Sequence, residues 1–528
     1  MFDDLLNRLE YCTTEKIKNA YSTDASIFRV VPEGVLYPKS SMDVMQLVRL
    51  NAKQIKPHSL TVRAAGTCMS GGALNEGIII DVTKYLNNIS NVDVQHKTIT
   101  VESGVMFREI EKATALQGLM FPPYTSSKNI CSIGGMLGNN SSGELSVRYG
   151  ATIDWVESID VVLSDGNLHT FGELTAEAFV QKQTLGGFEG TVYKVIAQLL
   201  EEKKEVIKTH TPLVPKNAAG YQLAKIYNEK KGTYNLARLF IGAQGTLGVI
   251  TSATLRLVPV PQYRRIVAVA IHSIQKIGEV LHALHELHPE SIETFDVYTY
   301  ELAKTYYYED ALRIAYVCEG APLTLFIQVS EDTDEATYQK QQEVMITLHS
   351  FHLQAYVVSD PVVRESFFTV RRASFKMLMD QSVGSLRVAP CIEDTIVPIE
   401  KYSIFLGSLE NILKEYPYTF TYAGHIGDGS VRLLPLVDFS LPNASEKIFE
   451  LSERVYNLVL SLGGSISVDH NDGLMRTYYL EKQYGHEMMD CFKTVKNLFD
   501  PDTIYNPGKK IPTITIGSKK YAIQSVTS

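Results

Sequence analysis

Hydrophobic positions along this chain fall into two textures. Between about residues 35 and 262, short apolar runs alternate with short helical patterns. Leu60, Thr61 and Val62 predict a strand, as do Ile78, Ile79, Ile80 and Asp81. The runs WVESIDVVL and NLHTF predict a strand pair turned at Asp165-Gly166, a strong hairpin signal. The stretch LFIGAQGTLGVI at 239–250 predicts strand, glycine loop, strand. Pro259 and Pro261 punctuate the end of this region. Beyond them RRIVAVAIHS and LTLFIQVS read as strands, and SIQKIGEVLHALHEL and DEATYQKQQEVMITLHS as helices. Further helices are predicted over roughly 399–416, 444–462 and 478–499, followed by an irregular tail, NLFDPDTIYNPGKKI. The first thirty residues predict one helix and a lead-in segment.

With 528 residues, 45% of them hydrophobic, the chain can bury large cores in more than one domain. The pattern predicts an α+β architecture: a helical segment at 1–34, a first domain of two α/β subdomains at 35–262, a cap with an antiparallel sheet and flanking helices at 263–494, and a tail at 495–528 that returns to the first domain.

Three glycine-rich stretches carry the chemistry of the first domain. RAAGTCMSGGALNEG joins the strands at 60 and 78, and successive backbone N–H groups in such a loop form an anion-binding concavity. Its spacing fits neither the G-x-x-x-x-G-K-[ST] cradle nor G-x-G-x-x-G, and a strand follows where both require a helix. That points to FAD, against the alternative of a tight turn without a ligand. SIGGMLGNNSSGELSVRYG at 132–150 is too rich in small and amide residues to build a core, and can lie against a polar ring system.

Net charge of −9 gives no electrostatic case for nucleic acid, and no apolar run reaches the roughly 20 residues of a membrane span. The N-terminus MFDDLLNRLE does not read as a secretory signal. Six scattered cysteines without a C-x-x-C pair argue for reduced thiols in the cytoplasm, with peripheral membrane association left open, and against an iron–sulfur cluster held by this chain.

In order and spacing, the three glycine stretches resemble the p-cresol methylhydroxylase-type FAD-binding domain of the vanillyl-alcohol oxidase superfamily. The region beyond 262 resembles the C-terminal domain of the FAD-linked oxidases of D-lactate, glycolate and D-2-hydroxyglutarate. The resemblance implies non-covalent FAD. Arg63, Ala64, Ala65, Gly66, Thr67, Cys68, Met69 and Ser70 would hold the pyrophosphate. Ser132, Gly134, Gly135, Gly138, Asn139, Asn140, Ser142 and Gly143 would flank the flavin ring. Gly242, Gly245, Gly248, Val249 and Ile250 would hold another part, with Pro122 and Asn506 nearby. The family's S-E-G-T-L-G reads Ala243-Gln244-Gly245 here, which changes a polar partner.

Oxidising a 2-hydroxy acid also needs a base, a cation for the carboxylate and a group that lowers the hydroxyl pKa. YAGHIGDGSVR (422–432) and SVDHNDGLMR (467–476) supply candidates. His425 and His470 sit beside small or acidic residues, fitting either hydrogen-bonded loop residues or a base at neutral pH. The family reads G-H-x-G-D-G-N-x-H and later G-E-H, two histidines and the glutamate binding a divalent metal and the last histidine acting as base. Carried over, His425 matches the first ligand and His470 the base. Asp469 replaces the glutamate, Ser430 the asparagine and Arg432 the second histidine. Arginine cannot ligate a metal, so at most His425 and Asp469 remain, and a metal is doubtful. Arg432 either substitutes for the metal's charge or pairs with Asp428 or Asp469 in a site that has lost its activity.

Arg371, in FFTVRRASFK, matches the family's carboxylate anchor, with Arg372 beside it and Arg476 a further candidate; ordinary helix surface charges would look the same. Glu393-Asp394-Thr395 matches a strand bordering the family's site and receives no catalytic role. Tyrosines at 298–308 fit a substrate lid or packed surface aromatics. The expected activity is FAD-dependent oxidation of a 2-hydroxy acid, the acceptor being a quinone, an electron-transfer flavoprotein, oxygen or a partner subunit. Phenol or aryl-alcohol oxidation and a catalytically silent flavoprotein subunit are the alternatives.

Overall fold

Three large sheets organise residues 2–513, the part of the chain that the computed structural model describes. The expected tail from residue 514 onward lies outside the described residues. In the first sheet β1 (Gly34–Leu36), β2 (Leu60–Arg63) and β3 (Ile78–Asp81) run parallel, with β3 central and Tyr11–Cys12 antiparallel at the β1 edge. All four residues of β3 are buried, as expected for a parallel strand covered on both faces.

The second sheet is antiparallel. Its order is β4 (Thr98–Glu102), β7 (Val249–Arg256), β5 (Val156–Val162), β6 (Leu168–Thr175), then short strands at Thr233–Asn235 and Tyr227–Asn228. Along β7, VITSATLR alternates buried and half-buried positions, the mark of a sheet with one covered face. The predicted hairpin between β5 and β6 forms, with Val162 opposite Leu168.

The third sheet is also antiparallel and begins with β8 (Tyr263–Ile271), β9 (Ser291–Asp296), β10 (Leu323–Glu331) and β11 (Ala355–Val358). It ends with β12 (Thr419–Gly424), β13 (Ser430–Asp438) and Leu386–Val388. Its order is β11-β8-β10-β9-β12-β13 and then Leu386–Val388. Helices cover both faces, so every residue of β10 from Leu323 to Ser330 is buried, its polar Thr324, Gln328 and Ser330 included. One face packs against helices at 277–285, 402–413 and 444–461, the other against those at 308–318 and 361–380.

Four local expectations differ from the structure. The first thirty residues hold two helices, Phe2–Arg8 and Glu15–Tyr21, rather than one. Leu239 and Phe240 belong to a helical turn, Ala237–Phe240, not a strand; a short buried apolar run has no period to tell the two apart. Residues 133–139 form a helix, α1 (Ile133–Asn139), closed by Asn140 in a left-handed conformation (φ 55°). Its Ile133, Met136 and Leu137 are buried, so this glycine-rich stretch does contribute to a core. The helix at Leu480–Phe499, assigned to the cap from sequence, buries Leu480, Tyr484, Phe492 and Phe499 in the core of the second sheet.

The tyrosine-rich stretch lies in helices 297–306 and 308–318, where Tyr300 is buried and its hydroxyl donates to Ala311 O at 3.3 Å. Tyr306 and Tyr308 are exposed.

Candidate active site

The first glycine loop leaves β2 and, with α1 and the third loop, lines a groove. Ala64 to Cys68, Gly134, Gly135, Gly138, Asn139, Gly245, Gly248 and Ile250 all face it. At Gly66 φ is +70°, and a Cβ there would stand 2.5 Å from the Arg63 guanidinium, so only glycine fits. Gly135 and Gly138 have a different reason. A Cβ on either would meet protein no nearer than 3.7 and 3.9 Å, so their missing side chains keep the groove open. The buried hydroxyl of Ser103, on the same wall, has no partner. A backbone-lined groove with an unsatisfied donor fits a flat polar cofactor such as FAD.

Several predicted residues stand behind the groove rather than in it. Arg63 donates to Tyr21 O (3.2 Å) and Thr23 O (2.8 Å) and faces the neighbouring cavity. Met69 also lines that cavity, whereas Ser70 donates to His470 O at 2.8 Å. The Ser132 hydroxyl is buried without a partner, Asn140 accepts from Ile153 N, and Gly242 O accepts from Asn471. Pro122, Gly143 and Val249 do not line the groove. Asn506 lies beneath it and fastens two of its walls, donating to Gly72 O (2.8 Å) and Gln244 O (2.7 Å).

Sharing Ala65, Gly66, Thr67, Gly135 and Asn139 with the groove is a second cavity of about 480 Å³, walled on its far side by Arg432, Asp469 and His470. This size lies within the range of small-molecule sites. The elements of the third sheet set these side chains. The β12–β13 hairpin turns through Ile426–Asp428 and Gly429, placing His425 at the end of β12 and Arg432 opposite Ala423. The 467–472 segment is a loop. The Asp394 carboxylate accepts from the backbone N–H groups of Val468 (2.9 Å), Asp469 (2.8 Å) and His470 (2.9 Å), which fixes its curvature. Gly473 approaches Ser70 so closely that a Cβ would stand 2.2 Å from Ser70 O. Its N–H donates to Gln244 Oε1, so the glutamine at this third-loop position ties the loop to the cap.

Glu393, left without a role from sequence, holds His470: its Oε1 lies 3.1 Å from the Nδ1 atom. The same carboxylate pairs with the fully buried Arg476 at 2.5 Å. Burial pushes the Glu393 carboxyl up, but Arg476 and His470 overrule it and bring it down to about 2. Arg476 is thereby committed to Glu393 and does not line the cavity.

His425 is 1% exposed and absent from the cavity wall. Its Nδ1 lies 2.7 Å from Glu293 Oε1, and Arg371 Nη2 stands 3.1 and 3.2 Å from its two ring nitrogens. Burial, then Arg371, Lys216 and Arg432, hold its pKa well below the usual histidine value, so the ring is neutral. Arg371 also meets Glu293 Oε2 at 2.6 Å and lies behind His425. Its position comes from α2 (Pro361–Asp380), a helix started by the Asp360 cap and Pro361. Arg372, one residue on, pairs with Glu144, whose carboxylate also accepts from Tyr124.

Asp469 is buried yet held well below the usual carboxylate range: burial opposes this, and Lys216 and Arg432 override it. Ser142 donates to Asp469, so this predicted flavin residue faces the cap carboxylate and the second cavity. Arg432 stands 3.4 Å from Asp469 Oδ2 and 3.3 Å from Ser126 Oγ; its buried Nε has no partner. Asp428 instead pairs with Lys216. Lys216, Glu293 and Glu393 were missed as site residues. Glu393 lay in a stretch that sequence did single out, while Lys216 and Glu293 sit in no motif.

A divalent metal fits this donor set poorly. His425 is covered by a guanidinium, Asp469 is engaged by two cations, and among the described residues no cluster of three or more His, Cys, Asp or Glu could hold an ion. All six cysteines are free thiols. Among the described residues no helix is long and apolar enough to cross a membrane.

Residues 32–172 match the FAD binding domain family, and residues 260–510 the FAD linked oxidases, C-terminal domain. The chain is 28% identical over 505 residues to D-2-hydroxyglutarate dehydrogenase of Pseudomonas putida, covering 93% of this chain and 49% of that one. It is 25% identical over 501 residues to glycolate oxidase subunit GlcD of Bacillus subtilis, covering 93% and 91%. The chain thus spans about half the length of the curated relatives it matches first. The solved structure of p-cresol methylhydroxylase with substrate bound shares the fold, with a TM-score of 0.69 at 13% identity over 98% of this chain and 96% of that one. By its two matched regions, the chain is a flavoprotein-type oxidoreductase chain that carries an FAD binding domain followed by the C-terminal domain of FAD linked oxidases.

Proposed function

We propose that this chain oxidises a 2-hydroxy acid, with the hydroxy acid in the 480 Å³ cavity and FAD in the adjoining groove. The relatives' names, D-2-hydroxyglutarate dehydrogenase and glycolate oxidase subunit, support the substrate class. FAD bound there supplies the hydride acceptor.

His470 takes the hydroxyl proton. Its Nδ1 is occupied by Glu393, which leaves Nε2 as the basic nitrogen and stabilises the imidazolium that forms. Arg432 binds the substrate carboxylate: it is the guanidinium on the cap wall of the cavity. Arg371 is a positioning residue here, because Glu293 and His425 already occupy it. FAD is held without a covalent bond, and no metal is required.

The observation that carries this reading is the Glu393–His470 pair at the wall of a cavity continuous with the glycine groove. Anaerobic addition of D-lactate, glycolate or D-2-hydroxyglutarate is expected to bleach the flavin absorbance of the purified chain. The reading fails if none of the three does so, or if His470→Ala bleaches at the parent rate.

A further inference from the structure

Lys216 lies in TPLVPKNAAG, outside every motif, yet its side chain is only 1% exposed. Its ammonium donates to Ser142 Oγ (3.0 Å) and Ser146 Oγ (3.1 Å). It stands 3.0 Å from Asp428 Oδ2 and 3.5 Å from Asp469 Oδ1. Ser142 and Ser146 in turn donate to Asp469 and Asp428. Three oxygens, Ser142 Oγ, Ser146 Oγ and Asp428 Oδ2, therefore stand at distances that suit the three N–H donors of one ammonium, and Asp469 Oδ1 lies just beyond as an ion-pair partner. A zinc ion would need its oxygens about 1 Å closer.

The charges agree with that geometry. Asp428 and Asp469 face each other in a buried site, where two unscreened carboxylates repel strongly. Lys216 lies between them, and Arg432 adds a second positive charge on Asp469. Two carboxylates and two cations already cancel, so a divalent ion would leave the pocket with an uncompensated charge. Burial alone would loosen the proton on Lys216, but the two aspartates outweigh it and hold the ammonium charged.

We infer that Lys216 is the fixed internal cation of this active site, paired with Asp469, the residue that stands at the resembling family's metal-binding glutamate. Its ammonium sets the orientation and charge of Asp469, and through Asp469 the position of Arg432 beside the substrate. Lys216 is a positioning residue, since it does not line the cavity. The inference rests on the proposed activity only for its kinetic readout.

The first test counts metal in the full-length, FAD-loaded protein after dialysis against a chelator and again after incubation with excess zinc or manganese. Substoichiometric metal is expected both times; one ion per flavin at either stage overturns the inference. This result stands whether or not any hydroxy acid reduces the flavin.

The second test uses Lys216→Ala. Without the ammonium, Asp469 and with it Arg432 lose their fixed orientation, so flavin reduction is expected to slow at least about tenfold. Methylammonium, small enough to occupy the vacated place, is expected to restore the rate. A variant that keeps its flavin and its rate, or whose lost rate methylammonium does not restore, overturns the inference. If the variant does not fold, the metal count on the parent decides.

Discussion

The two walls of the candidate site recognise their ligands by different physics. The flavin wall is built of glycine, alanine and backbone, and its main requirement is empty space: at Gly135 and Gly138 a side chain would fill the groove without clashing with protein. The cap wall, Arg432, Asp469 and His470, is backed by buried ionisable groups, Lys216, Glu293, Arg371, Glu393, Asp428 and Arg476, each held by another. One wall selects by shape, with its hydrogen bonds supplied by the main chain. The other selects by charge, and each of its members depends on a partner that is distant in sequence.

If that contrast holds, damage to the cap should appear first in chemistry and damage to the groove first in cofactor retention. The largest effect is expected at His470: His470→Ala should keep its yellow colour while anaerobic flavin reduction falls on the order of 100- to 10,000-fold in stopped-flow traces. Arg371→Ala leaves the buried Glu293 carboxyl and His425 without their guanidinium, and should lower unfolding free energy by about 3–5 kcal/mol in denaturant titrations.

Glu393 sharpens the comparison through pH. Its folded-state carboxyl is held at about 2, against an ordinary 4.5, so its contribution is fully present above pH 4.5 and is lost as pH falls toward 2. Its removal should take away up to about 3 kcal/mol of that acid-sensitive stability, leaving Glu393→Gln with a shallower acid-denaturation slope despite lower stability at neutral pH. On the other wall, Gly135→Val should weaken FAD retention at least about tenfold, measured by flavin release on dilution, with little loss of global stability because the new methyls enter the groove. The smallest effect is the control. The partly exposed Arg454–Glu415 pair lies far from both walls in chemical role, and Arg454→Ala should change unfolding free energy by less than about 1 kcal/mol.

The same contrast explains what could be read from the sequence. The glycine loops were legible because each is contiguous and its residues act through the local backbone. His425, Arg432, Asp469 and His470 came from two short motifs for the same reason. Lys216 and Glu293 were not legible, since nothing near them in sequence states that they meet Asp428, Asp469 and His425. Glu393-Asp394 was noticed, but its work is tertiary: one carboxylate on an imidazole, the other gathering three backbone N–H groups. Helix α1 was missed because its glycines argue against helix, while burial of Ile133, Met136 and Leu137 and the glycine faces turned to the groove argue for it. The Ala237–Phe240 turn shows the complementary limit: four residues, three of them apolar, are too few to carry a period.

Asn506 ties the order of synthesis to the order of assembly. Its amide joins the loop after β2 to the loop before β7, while its Oδ1 accepts from Thr61 in β2 itself. A ribosome will have made nearly all of the described chain before that clasp exists. The cofactor's berth is therefore finished only near the close of translation, so a nascent polypeptide halted short of residue 506 should emerge with most of its cores formed and its flavin still unbound.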